Sequence, residues 1–142
     1  MKKTASYLVV ATVVLPLTAH AASVSSYFGN WKVVKIAGYA DISVGEEIAK
    51  KGLGQTVVIS ATSIMLPGAP CQGADVKLNV INVDQLLQDD WKATREDIDV
   101  APYRMGKTAH HIDSSCADGI VLDRDHLLMT DAGAFYVVER DK

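Results

Sequence analysis

From residue 31 onward, apolar and polar residues alternate in short runs broken by turn signals, the period of half-buried β-strands. Eight such runs are expected to be strands: 31–36, 55–60, 63–66, 75–81, 108–116, 120–122, 126–130 and 135–140. The fourth is the clearest. Val76, Leu78 and Val80 alternate with Lys77 and Asn79, which gives one buried and one wet face. Asp123-Arg124-Asp125 and Asp131-Ala132-Gly133 separate the last three runs, and such short spacers favour antiparallel hairpins over crossovers. Two segments carry helical spacing instead. Ser43 stands three residues before Glu46, as in a capping box, and the Glu46–Lys50 and Glu47–Lys51 pairs support a helix ending at Gly52. The second is expected to start after Asn82, with Val83, Leu86, Leu87 and Trp91 on its apolar face. Residues 92–106 are polar, carry Pro102 and read as a long excursion over the surface.

The first residues obey a different pattern. Lys2 and Lys3 precede an apolar stretch from Tyr7 to Leu17, and Ala19-His20-Ala21 follows. That is the layout of a secretory signal over residues 1–21. The expected product, residues 22–142, is a single domain outside the cytoplasm, in the bacterial periplasm or secreted. The apolar stretch is shorter than the roughly 20 residues a membrane span needs, and no comparable run occurs later.

All 17 acidic residues lie beyond residue 21 with 12 of the 14 basic ones, a formal charge of −5. This disfavours nucleic acid as a partner, since such binding needs a basic footprint. Asp89, Asp90, Glu96, Asp97 and Asp99 flank Trp91 and suggest a solvated acidic face. Cys71 and Cys116 are the two cysteines, and in an oxidising compartment an even pair reads as a disulfide. Closing so long a loop stabilises by about 4 kcal/mol in the chain-entropy account.

Gly29-Asn30-Trp31 opens the first expected strand and Arg140 stands on the last. This Gly-x-Trp with a distant Arg resembles lipocalins and related calycin barrels, in which the Trp closes one end of the barrel under the Arg. Thr130-Asp131 resembles the start of that family's second motif, with Ala132 where an aromatic is usual. The resemblance implies a mainly β fold: a single antiparallel lipocalin-like β-barrel of about eight strands with two short helices. It also implies a barrel interior able to hold a lipid or other small apolar ligand.

Catalytic chemistry finds no motif. The chain has no G-x-S-x-G elbow, phosphate loop or dinucleotide fingerprint. His110 and His111 are neighbours on one strand and face opposite ways, so they are not a ready metal pair. No catalytic residue, metal or cofactor is therefore expected. The candidate binding residues are Met65, Leu66 and Pro67, in an apolar connection running to Cys71, and Tyr103, Arg104 and Met105 in the surface excursion. Such residues are enriched at interfaces. They point to a non-enzymatic binding protein that blocks another protein, as an inhibitor or immunity factor does, with an envelope protein or toxin as partner. The alternative is a carrier of a small apolar ligand.

Overall fold

The computed structural model describes residues 21–142, apart from Gly68, Ala74 and Cys116 and the side chains of residues 69–72. The expected signal segment, but for Ala21, and the Cys71–Cys116 pairing lie outside the described residues.

The chain forms one nine-stranded antiparallel sheet, curled into a half-barrel, with two short helices. Its strands are β1 (Gly29–Tyr39), β2 (Thr56–Ile59), β3 (Ser63–Leu66), β4 (Ala69–Gln72), β5 (Lys77–Asn82), β6 (Thr108–Asp113), β7 (Asp118–Val121), β8 (His126–Asp131) and β9 (Ala134–Arg140). In the sheet they lie in the order β4-β3-β2-β1-β9-β8-β7-β6-β5. The eight expected strands are all present. The additional one, β4, falls where the sequence read an apolar connection, because residues 69–72 turn back and pair with β3.

Chain connectivity forces the curl. Laid flat, nine strands would separate the outer two by about 38 Å, at about 4.8 Å per neighbour. Residues 73–76 alone join β4 at one edge to β5 at the other, and so short a link spans at most about 18 Å. The sheet must bend until its edges approach. The Val76 N–H, at the entry to β5, donates to the Ala61 carbonyl in the β2–β3 turn, 3.2 Å away. Two irregularities in the pairing of β1 with β9, between Val33 and Lys35 and between Ile36 and Gly38, supply local bending near the sheet's centre. The barrel nonetheless stays open. Among the described residues β4 and β5 are not paired with one another.

Strand alternation sorts the core into two layers. On the concave face, Trp31, Val33, Val57, Ile59, Ile64, Leu66, Ile112, Leu127, Met129, Tyr136 and Val138 pack together, drawing on both ends of the sheet. On the convex face, Ala37, Ile120, Leu128, Phe135 and Val137 pack under helix α2 (Val83–Trp91). Strand β9 contributes to both layers, and Ala134 through Val138 are buried without exception.

Helix α2 begins as its sequence predicts, with the Gln85 N–H donating to the Asn82 side-chain oxygen at 3.0 Å. Val83 and Leu87 are fully buried, and Trp91 meets Phe135 edge to face with ring centres 5.6 Å apart. The first helix departs from expectation. Helix α1 (Glu46–Ala49) is capped by Gly45 rather than Ser43, and no side chain caps it. Glu46 and Lys50 pair at 2.9 Å, whereas Glu47 reaches Lys50, at 3.7 Å, in place of the expected Lys51. A 3₁₀ turn, Lys50–Gly52, completes it.

Residues 92–106 are not a free surface excursion. Gly38 and Ile98 form an isolated antiparallel bridge, and Ile98 and Val100 are buried in the convex layer. The approach is close enough that a β-carbon on Gly38 would strike the Asp97 carbonyl oxygen. The polar residues that suggested a solvated segment face outward, while the apolar minority anchors it.

Candidate functional site

The concave face is not completely filled. A cleft of about 310 Å³ lies between Val33, Val57, Leu66, Met129, Tyr136 and Val138 on the sheet and Val44 and Ile48 on the α1 side. Lys51, Gly52, Gln55, Pro67, Asp131 and Ala132 complete its lining. The floor follows from strand alternation: Val57 on β2, Met129 on β8 and Tyr136 and Val138 on β9 are inward positions of their strands. The lip is set by the β8–β9 turn. Gly133 holds φ +80 there, and a β-carbon would run into the Ile42 carbonyl oxygen, so only glycine lets residues 40–44 lie against the turn. The Ala40 and Val44 N–H groups then donate to Gly133 and Ala132 carbonyls at 2.8 and 3.1 Å. This docking carries Val44 and the following helix to the mouth of the cleft.

Polar groups around the cleft are few. The Tyr136 hydroxyl donates to the Ala49 carbonyl at 3.2 Å, and burial pushes its pKa up. Asp131 is half-buried on the cleft wall, and burial raises its carboxyl above the ordinary range. Lys51 stands exposed at the edge.

The candidate binding residues divide between the two faces. Met65 and Leu66 are strand residues of β3 rather than loop residues. Met65 is 40% exposed, Leu66 is buried in the concave layer, and Leu66 and Pro67 line the cleft. Tyr103 and Met105 pack against the convex layer instead, and Arg104 is exposed. Tyr103 also stacks on His126, ring centres 3.9 Å apart, while His126 contacts Asp123 at 2.8 Å. Leu66 and Pro67 therefore do not share a surface with Tyr103 and Met105, and Met65 points away from the cleft.

Gly29 opens β1 opposite Ile59, and Trp31 pairs with Arg140 across β1 and β9. Trp31 is fully buried, and its indole N–H donates to the Tyr27 carbonyl at 3.0 Å. The Arg140 guanidinium lies over the indole and donates to the carbonyls of Ser26 and Phe28 at 2.6 and 3.4 Å.

A second polar cluster sits on the convex side. His111 is buried, its Nε2 makes no hydrogen bond and it lies 3.8 Å from Asp118. Burial pushes the Asp118 pKa up to about 6, with Asp113 and Asp90 adding to the shift, and burial lowers that of His111. Both groups are thus biased towards their neutral forms. Among the described residues no group of three or more His, Cys, Asp or Glu is placed to hold a metal ion, and no helix is long and apolar enough to cross a membrane.

The sequence did not single out Val33, Val44, Ile48, Val57, Met129 or Tyr136 as binding residues. Their inward orientation was legible from alternation, but the space between them depends on how far the sheet curls. No protein-family model, curated protein or solved structure matches the chain.

Proposed function

We propose that this chain is a non-enzymatic binding protein whose concave cleft takes a small, largely apolar molecule. The apolar cleft itself carries the reading: about 310 Å³, floored by Val57, Met129 and Val138 and open beside Ile48. That volume falls at the lower end of ligand pockets, which are mostly apolar with a few polar groups. The lipocalin-like Gly29, Trp31 and Arg140 support the same reading, as does a sheet curled around its ligand face. The signal-like residues 1–21 support action outside the cytoplasm. Blocking of another protein receives less support, because Leu66 faces the concave layer while Tyr103 and Met105 pack on the convex one.

The test is titration with N-phenyl-1-naphthylamine, whose fluorescence rises in apolar surroundings. Saturable enhancement is expected, and Val57→Trp, which fills the floor, should weaken it at least tenfold. No saturable signal, or binding indifferent to Val57→Trp in a folded variant, would remove this reading.

A further inference from the structure

The cleft wall carries a carboxyl group that no described residue pairs with. Asp131 ends β8, two and four residues beyond Met129 and Leu127, so it shares their concave face. It lines the cleft beside Tyr136 and Val44. Among the described residues its carboxyl group has no hydrogen bond and no ion pair, and Lys51 on the same cleft does not reach it. Carboxylates withdrawn from water are ordinarily paired or hydrogen-bonded. This one is half-buried, bordering both the apolar cleft and a more polar pocket that it shares with Trp91 and Asp118, and burial makes it charge more reluctantly than an ordinary aspartate.

We infer that the ligand carries a basic nitrogen on its apolar body and binds with that nitrogen against Asp131. The inference rests on the cleft being a ligand site. A cationic N–H donor would make the charge-assisted hydrogen bond that the carboxylate lacks, in surroundings where water competes poorly. The apolar body would lie on Met129, Val57 and Val138. An anionic head would meet the opposite conditions. Its available partner, Lys51, is an exposed and flexible side chain, and pairs of that kind contribute little. An anion in the cleft would also be repelled by Asp131. The Tyr136 hydroxyl is engaged as a donor to Ala49, which leaves it only as a further acceptor for the same N–H groups.

Octylammonium, octanol and octanoate share one tail and differ in the head, so they separate the two claims. Each is competed against bound N-phenyl-1-naphthylamine at pH 8. Octylammonium should displace the probe at least tenfold more tightly than octanol, with octanoate weakest. Asp131→Asn should reduce that preference to less than threefold. Acidification gives an independent reading that leaves Asp131 in place. Lowering the pH from 8 to 4 should weaken octylammonium as Asp131 takes up a proton. Its neighbours Tyr39, Tyr136 and Lys51 are of types that titrate near 10, outside that window. Asp118, which lines a neighbouring pocket with Asp131 and has its pKa pushed up to about 6, also takes up a proton in that window, so the same series on Asp118→Asn isolates Asp131. Octylammonium binding no better than octanol, or a preference that survives both Asp131→Asn and acidification, would overturn the inference and leave the cleft reading standing. Failure of the probe and all three amphiphiles to bind would overturn both.

Discussion

The Arg140 guanidinium lies 4.3 Å from the ring centre of Trp31, across the register pair that joins the first strand to the last. A guanidinium on an indole face contributes about 0.5–2 kcal/mol. Here it is also anchored by the Ser26 and Phe28 carbonyls and by Asp125, 3.4 Å from its Nε. The contact ties the leading 3₁₀ turn, Val24–Tyr27, to the central strand pair. Arg140→Ala should therefore cost about 2–3 kcal/mol, a fall in Tm of about 8–12 °C by differential scanning calorimetry. Arg140→Lys should recover only a minor part, since an ammonium lacks the planar fork. A Tm unchanged on Arg140→Ala would show that the contact contributes no stability.

Stability should vary with pH through Asp118. Its folded pKa of about 6 lies above its ordinary value of 3.8, so the native state holds this proton more tightly than the unfolded chain. The resulting contribution is full below about 3.8 and is lost as pH rises through about 6. Asp118→Asn removes the penalty of the buried charge. Urea denaturation should find the variant more stable than wild type at pH 7.5, by about 1–2 kcal/mol after allowance for partial exposure. The advantage should shrink towards pH 4. His111 has the opposite sign, since burial favours its neutral form and its contribution is lost as pH falls through its lowered pKa. Because His111 lies 3.8 Å from Asp118, repeating the comparison in a His111→Gln background isolates Asp118. An advantage that does not change with pH would refute this assignment.

A disulfide between Cys71 and Cys116 is proposed from the sequence alone, since an even pair of cysteines in an oxidising compartment reads as a bond. Intact-mass measurement of the exported protein, with and without reductant before alkylation, should show no free thiols until reduction. Reduction should then lower stability by about 2–4 kcal/mol. Free thiols in the untreated protein would exclude the bond.

Much of the fold was legible before any coordinates. Period-two alternation marked eight strands, because a sheet with one buried face demands it. Asn82 marked the start of α2, because its side chain satisfies a backbone donor that the first helical turn leaves open. Where the reading went astray, pairing or docking outside the segment itself was responsible. Gly45 caps α1 in place of Ser43. Residues 69–72 form a strand because β3 lies alongside them. Ile98 and Val100 draw a mostly polar segment onto the sheet, where composition suggested solvent.

The candidate site shows the same division. Residue order alone determined that Trp31 and Arg140 stand on the opening and closing strands, and that Leu127 and Met129 share a face, whereas Asp131, read as a turn residue, joins that face because β8 runs one residue further. The first two follow from local geometry and the two-residue repeat. Tertiary structure decided that the sheet curls without closing and that Val44 and Ile48 reach its mouth. It also decided that Leu66 and Pro67 line the cleft while Tyr103 and Met105 pack on the convex layer. Those outcomes depend on the curvature accumulated across all the strands and on the docking of residues 40–44 against Gly133, and no local stretch of sequence encodes either.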